Sequence, residues 1–366
     1  MIKAKAILAN YFACSIRSLG RSSHVFVFWM VLSGCCIAAE SPGESSISSF
    51  ANYSPLAGTD EMIRRIMSPI AADRIQAYYR DNSQKLPQQS ILIERERFDF
   101  YLPAGETPDA GYGLIVFIAP YDEAPIPFAW RKVFDRHGII YVAARRSGND
   151  HNMIGRRIPL ALHAYENIMK RFQINPERVF VSGFSGGSRT AMRVALYYPD
   201  IFRGAILNSG SDPFGTAGIS VPPSDLFQLF RARSRIVQVT GTEDEFVKLE
   251  DSKMRTAASS FCLQHVYMQP MRHTGHALMS AQAIDNAIMR IDSVSTASVE
   301  TSDCETRMRK DIDHGLAQVQ NYLDQGLNKK AGEELSLLDE HYGGLAAPAS
   351  VELARKLLAI TNRKEP

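Results

Sequence analysis

A serine flanked by glycines stands between a β-branched run and a helical segment. The stretch VFVSGFSGGSRT, residues 179–190, places Gly-x-Ser-x-Gly around Ser185. A phosphate-binding loop would need a lysine after its last glycine, and a dinucleotide fingerprint would need another glycine spacing. The pattern fits a nucleophilic serine on a sharp turn, because small residues two positions before and after it let the backbone close. The N–H of Gly186, at the start of the next helix, could then stabilise an oxyanion.

A serine hydroxyl is a weak nucleophile unless a base takes its proton and an acid orients that base. In the chain order serine, acid, histidine, the acid follows a later strand of the sheet. Asp244 comes just after the apolar run 236–240, and we predict that it is this acid. The neighbouring Glu243 and the more distant Asp212 are the alternatives.

The base is expected in the loop after the last strand. Two histidines lie there, and His276 follows a glycine just before the final helix of the core. We predict His276 as the base, because it stands third in a correctly ordered series, and His273 is the alternative. A metal role is not indicated, since the histidines show no HExxH or clustered ligand spacing. The sequence implies neither a metal nor another cofactor.

The second oxyanion donor is expected from the loop after the apolar run 114–119. Pro120 has no N–H and cannot donate, so the sequence predicts the backbone N–H of Tyr121. Two further residues are candidate substrate contacts. Trp130 either walls an acyl pocket or anchors the next helix in the core. Asn149 follows another strand, in a segment that either contacts substrate or forms a solvated turn.

The elements that must position these residues are visible as alternating strands and helices. Continuous apolar runs lie at 114–119, 139–143, 179–181, 205–207, 236–240 and 266–268. Such runs are typical of strands buried on both faces, and helical stretches separate them, which predicts a mostly parallel α/β sheet flanked by helices. Phe98, Phe100 and Leu102 alternate with polar residues and predict a half-exposed strand.

The chain divides by composition into five parts. We predict a signal peptide at 1–35, a linker at 36–57, N-terminal helices at 58–90, a catalytic domain at 91–295 and a small helical C-terminal appendage at 300–366. The linker is rich in Ser, Pro and Gly and is expected to be a mobile tether. Beyond residue 300 only helical patterning remains.

The N-terminus carries basic residues followed by the apolar run 25–32, which is too short to span a bilayer and indicates a secretory signal. Leu32-Ser-Gly-Cys35 resembles the lipobox of bacterial lipoproteins, so Cys35 is the predicted lipidation site. Cleavage after Ala39 is the alternative. The protein is therefore expected to be exported, either anchored to the bilayer of the bacterial cell envelope or secreted or periplasmic. The long basic stretch also suggests a true start downstream of Met1.

Cys262 and Cys304 are the cysteines that remain in the body of an exported chain. An oxidising compartment favours their pairing, which would tie the C-terminal segment to the core. Two buried free thiols are the alternative.

The overall composition is that of an ordinary globular protein. Of its 366 residues, 45% are hydrophobic and 22% charged, which is enough apolar content for one sizeable core. The formal net charge is only +2, so neither nucleic acid nor a polybasic membrane contact is indicated.

At these residues the chain resembles an α/β-hydrolase, and more narrowly the secreted esterases that include polyhydroxybutyrate-depolymerase-like and feruloyl-esterase-like enzymes. The stretch from Ile174 to Asn208 carries most of the resemblance, which extends over residues 90–295. It implies a serine esterase with a small-molecule or oligomeric ester substrate. The chain departs from these relatives at Ser188, after the second glycine, and at Pro120. No added polymer-binding module is visible.

The sequence as a whole predicts a serine hydrolase that cleaves carboxylic esters through an acyl-enzyme. Two alternatives remain. A peptidase of the same fold would use the same three residues on an amide bond. A catalytically silent hydrolase fold could instead act as a cell-envelope binding protein through its C-terminal helices.

Overall fold

A computed structural model describes residues 41–293 and 302–362 of the chain. The predicted signal peptide and Cys35 lie outside the described residues. None of the described helices is long and apolar enough to cross a membrane.

Eight strands form one mostly parallel sheet in the order β1-β2-β4-β3-β5-β6-β7-β8. The strands are β1 Ser45–Ser48, β2 Phe98–Tyr101, β3 Tyr112–Ile118, β4 Ile139–Ala144, β5 Ile174–Phe184, β6 Gly204–Asn208, β7 Arg235–Gly241 and β8 Val266–Met271. Strand β2 pairs antiparallel with β1 and β4, while the described pairings from β4 through β8 are parallel. This is the predicted α/β-hydrolase architecture.

Helices cover both faces of the sheet. They are α1 Thr59–Ile66, α2 Pro69–Asp81, α3 Phe128–His137, α4 Ile158–Arg171, α5 Gly186–Tyr197, α6 Ser224–Arg233, α7 Glu245–Ser260, α8 Ala281–Asp292, α9 Ser302–Asp324, α10 Asn328–Tyr342 and α11 Ala349–Asn362. Successive side chains of a strand point to opposite faces. Val116 of β3 accordingly packs in the core that contains α4 and α5, and Phe117 in the core that contains α3 and α8.

The strand predicted from Phe98, Phe100 and Leu102 exists, but the prediction that it is half-exposed is wrong. All four residues of β2 are buried. The polar member that suggested a solvent face is Asp99, whose carboxylate accepts a hydrogen bond of 2.8 Å from the Ala124 N–H. A buried polar residue with a partner therefore produced an alternation that normally indicates exposure.

The linker prediction is also wrong for its second half. Residues 45–48 form β1, which adds an edge strand to β2. Phe50 and Ser54 are buried, and the Ser54 N–H donates to Nδ1 of His163 over 3.0 Å. Small and polar residues lowered the apparent strand signal, although the open edge of β2 offered their backbone a pairing partner.

The C-terminal appendage consists of α9, α10 and α11. Their apolar faces form a cluster with one residue of α2; its buried members are Ile70, Val319, Leu323, Ala331, Leu335, Leu353 and Ala354. The predicted disulfide between Cys262 and Cys304 is present and connects α9 to the segment after α7. Tyr342, at the end of α10, packs against the main core.

Candidate active site

Ser185 stands at the turn between β5 and α5, with φ 53° and ψ −122°. Tight packing of the backbone explains the glycines around it. A Cβ atom on Gly183 would lie 2.5 Å from the carbonyl oxygen of Gly187, and one on Gly187 would overlap with the Ile118 carbonyl. Side chains at either position would therefore force the turn open, as the sequence pattern indicated.

Asp244 occupies the N-cap position of α7. One carboxylate oxygen accepts the Val247 N–H at 3.4 Å, and the other accepts from Nδ1 of His276 at 2.6 Å. The Asp244 side chain is only 9% exposed. The N-terminus of α7 and the His276 imidazole together hold its carboxylate in one position.

His276 completes the chain of hydrogen bonds. Its Nε2 lies 2.9 Å from the Ser185 hydroxyl oxygen, while its Nδ1 faces Asp244. With Nδ1–H donating to the carboxylate, Nε2 is free to accept the serine proton. The imidazole remains 44% exposed, so it is accessible at the surface beside the serine. The structure thus brings together the three residues that the sequence selected.

Backbone hydrogen bonds join the loop that carries Asp244 to the loop that carries His276. The Thr242 N–H donates to the Met271 carbonyl over 2.9 Å, and the Glu243 N–H donates to the Thr274 carbonyl over 3.0 Å. A Cβ on Gly241 would overlap with the Thr274 carbonyl, so the two loops approach each other closely at the end of β7. This contact sets the separation of Asp244 and His276.

Asn208 is a site residue that sequence reasoning missed. It ends β6, is fully buried, and its carboxamide donates to the Ala277 carbonyl over 3.1 Å and accepts the Met279 N–H over 2.9 Å. Asn208 therefore holds the segment directly after His276 against the sheet. The available signal was an amide side chain at the end of an apolar strand beside the nucleophile.

The alternative acids and base have other positions. Asp212 forms ion pairs with Arg189 and Arg193 of α5. Glu243 is exposed, and its described hydrogen bond is the one from its backbone N–H to the Thr274 carbonyl. His273 is exposed, and its N–H donates to the Thr242 hydroxyl over 3.0 Å.

Tyr121 lies on the loop after β3, which abuts the serine turn at Gly187. The preceding carbonyl, of Pro120, accepts the Asn149 N–H over 2.9 Å. In a trans peptide the following N–H points the opposite way. The Tyr121 N–H donates to no acceptor among the described residues, so it is available as a donor. Burial also raises the pKa of the Tyr121 phenol.

Of the two roles that the sequence left open for Trp130, the structure favours the core anchor over the wall of an acyl pocket. Its side chain is 1% exposed, and its ring stacks on Phe134 and meets Phe117 edge-on. The indole N–H donates to the Met279 carbonyl over 2.9 Å. Trp130 therefore anchors α3 in the core, which was the alternative. From sequence alone, a tryptophan near the nucleophile could satisfy either role.

Asn149 is brought to the serine turn. It is exposed, and its carboxamide lies so close to Gly186 that a Cβ there would overlap with it. The Asn149 side chain thus occupies the space beside Gly186 that a Cβ atom would take. A candidate substrate contact and a candidate oxyanion donor are therefore neighbours in the fold.

No group of three or more His, Cys, Asp or Glu suited to a metal ion occurs within residues 41–293 and 302–362.

No protein-family model and no curated protein matches this chain. Solved structures with a similar fold include the S-formylglutathione hydrolase FrmB of Staphylococcus aureus, at 12% identity and a TM-score of 0.44, covering 54% of this chain and 92% of that one. Est1E of Butyrivibrio proteoclasticus is 14% identical with a TM-score of 0.40, covering 56% and 98%. An esterase of Pyrobaculum calidifontis is 13% identical with a TM-score of 0.38, covering 55% and 82%. The function is therefore inferred from the site itself.

Proposed function

We propose that the protein is a serine hydrolase that cleaves carboxylic esters. The observation that carries the proposal is the unbroken sequence of hydrogen bonds from Asp244 through His276 to Ser185, at 2.6 Å and 2.9 Å. Nucleophile, base and orienting acid in this order are what acyl transfer needs. The Tyr121 N–H and the Gly186 N–H at the start of α5 are the proposed donors to the oxyanion.

The mechanism follows from this arrangement. The Ser185 oxygen attacks the ester carbonyl while Nε2 of His276 takes its proton, and Asp244 stabilises the imidazolium that forms. The N–H groups of Gly186 and Tyr121 hold the tetrahedral oxyanion. Collapse breaks the bond to the leaving alcohol, which receives the proton from His276. Water, deprotonated by the same nitrogen, then attacks the acyl-enzyme and releases the acid and free Ser185.

An ester rather than an amide substrate is supported by the resemblance of residues 174–208 to secreted esterases. The three residues themselves serve either bond. A panel of p-nitrophenyl acyl esters and matched acyl p-nitroanilides distinguishes them, and we expect kcat/KM to favour the esters. Faster cleavage of the anilides would assign the peptidase instead.

A fluorophosphonate probe tests the nucleophile directly. We expect labelling of the folded wild type and none of Ser185→Ala. The matched control is Ser188→Ala, three residues further along in the first turn of α5, where the buried hydroxyl donates to the Gly210 carbonyl. Ser188→Ala should keep the labelling. Folded wild-type protein that remains unlabelled would contradict the proposal and favour a silent binding protein.

Export and lipid anchoring are part of the proposal and need a separate test. The short apolar run before Cys35 and the lipobox-like Leu-Ser-Gly-Cys support them. Cys35→Ser should move the protein from the membrane fraction to the soluble fraction of the producing cell. Unchanged fractionation would favour cleavage after Ala39.

A further inference from the structure

A buried guanidinium lies beneath the loops of the active site. Arg157 ends a single π-helical turn, Met153–Arg157, directly before α4, and it is 3% exposed. Its Nε–H donates to the Ser147 carbonyl over 2.9 Å, and Nη2 donates to the Ala119 carbonyl over 2.9 Å. Nη1 lies 3.4 Å from the Gly186 carbonyl, at the limit of a hydrogen bond.

The three acceptors belong to three segments that carry candidate site residues. Ala119 begins the loop that carries the Tyr121 N–H. Ser147 lies two residues before Asn149, and Gly186 directly follows the nucleophile. A planar guanidinium can bind several carbonyls in a fixed fork, so one side chain sets the positions of three backbones.

The Tyr121 peptide is fixed from two sides. Arg157 holds the Ala119 carbonyl, and the Asn149 N–H holds the next carbonyl, of Pro120. With both carbonyls held, the plane of the peptide that carries the Tyr121 N–H has little freedom. An oxyanion donor is effective only when it is oriented before the reaction begins.

The charge of Arg157 is unusual in its surroundings, because buried charges are normally paired. Arg65 is equally buried at 3% exposure, but it binds the carboxylates of Asp200 and Glu61. No carboxylate of the described residues forms an ion pair with Arg157. Burial lowers the pKa of Arg157 to about 10, which leaves it protonated at neutral pH. The described hydrogen bonds of the Arg157 guanidinium thus all go to backbone carbonyls beside the candidate site residues.

We propose that Arg157 is the positioning residue of the oxyanion hole, holding the loops of Tyr121 and Asn149 in register with Gly186. The inference rests on the proposed function. It concerns transition-state stabilisation and not substrate binding, so its loss should lower kcat and leave KM nearly unchanged.

Arg157→Lys and Arg157→Met test this. A lysine keeps the charge, but its donors all lie on one nitrogen and cannot reproduce the planar fork whose three nitrogens face the three carbonyls. We expect kcat on p-nitrophenyl acetate to fall by about 10²-fold in either variant, the size found on removing an oxyanion donor, with KM within about threefold of wild type. The rate of fluorophosphonate labelling should fall in parallel, because that reaction also develops an oxyanion, while its end-point stoichiometry stays at one per chain.

The matched control is Arg65→Lys, because Arg65 is as buried as Arg157 and also donates to a backbone carbonyl, that of Tyr197 at the far end of α5. It should lower the melting temperature and keep kcat. Guanidinium added to Arg157→Ala should restore part of kcat, whereas it should not affect Arg65→Ala.

The outcomes separate the two proposals. Wild-type protein without labelling or esterase activity would defeat the proposed function. If the wild type is active, the inference is overturned when Arg157→Lys keeps kcat, or when Arg157→Lys and Arg65→Lys lose kcat equally. If Arg157→Met does not fold, the kcat of Arg157→Lys and the guanidinium rescue still test the inference.

Discussion

The backbone conformation differs between two regions: the edge of the sheet at which the parallel strands end, and the elements that support this edge. Arg146, Ser185, Ser209 and His273 are non-glycine residues with φ between 51° and 53°, and each lies one or two residues past the end of a strand. Side chains adopt this left-handed region at a cost of roughly 1 kcal/mol or more. In the described chain, the other two such residues, Ser83 and Cys262, follow helices.

The supporting elements use ordinary packing instead. The appendage is held by an apolar cluster and a disulfide, and α2 begins at Ser68 with a side-chain cap and a proline in its first turn. Four of the six described non-glycine residues with positive φ thus lie at the edge that carries Ser185. We therefore expect substitutions at the edge to change activity at nearly constant stability, and substitutions in the supporting elements to change stability at nearly constant activity.

The largest effect is expected at the edge, from Asp244→Asn. The amide is neutral and permits the wrong tautomer of His276, so kcat should fall by about 10⁴-fold. Asparagine is as good an N-cap as aspartate, so the melting temperature should change little. Steady-state kinetics and thermal unfolding check both, with Glu243→Gln as the neighbouring control that keeps activity. A large loss of stability in Asp244→Asn would erase the contrast between the two regions.

Removal of the disulfide probes the opposite side of the comparison. The cross-link joins residues 42 positions apart, and the chain-entropy relation assigns about 4 kcal/mol to a loop of that length. The double variant Cys262→Ser/Cys304→Ser should lose about that much in urea unfolding, and its kcat well below the transition should match wild type. A fall in kcat with unchanged unfolding free energy would show that the appendage acts on the site.

A histidine in the supporting elements makes stability depend on pH. His163 of α4 is fully buried, and burial lowers its pKa to about 4, against smaller opposing effects of Glu166 and Glu96. Its Nδ1 accepts the Ser54 N–H, which requires the neutral ring.

Between pH 6.5 and pH 4 the unfolded chain therefore binds a proton that the native state excludes. Stability should fall by roughly 3 kcal/mol as pH decreases through that window, and this contribution should be constant above it. Urea unfolding of wild type and His163→Gln at pH 7, 5.5 and 4.5 measures it, and the glutamine variant should lack this part of the slope. If the unfolding free energies of the two proteins fall equally with decreasing pH, His163 is not the source of the acid sensitivity.

Much of the site could be predicted because its signals are local. Gly-x-Ser-x-Gly between an apolar strand and a helix predicts a nucleophilic role for Ser185. The order of Asp244 and His276 after later strands follows from a parallel sheet, whose strand ends share one edge. The Cys262–Cys304 pair followed from counting the cysteines that remain in the body of a chain predicted to be exported.

What could not be predicted depends on contacts between distant segments. The sequence left Trp130 open between a pocket wall and a core anchor, and its contacts with the Met279 carbonyl and Phe134 place it in the core. Residues 45–48 looked like a tether until the edge of β2 paired with them.

The alternation of strands and helices, the serine turn and the three residues of the proposed reaction can be read from the sequence, because their signals lie in short local stretches and in the order of those stretches. The contacts of Asn208 with the segment after His276, and of Arg157 with the Ser147 and Ala119 carbonyls, appear only in the folded chain. Both act on backbone carbonyls of distant segments, and a carbonyl is present at every residue. The sequence therefore contains no sign of which carbonyls a buried amide or guanidinium will meet.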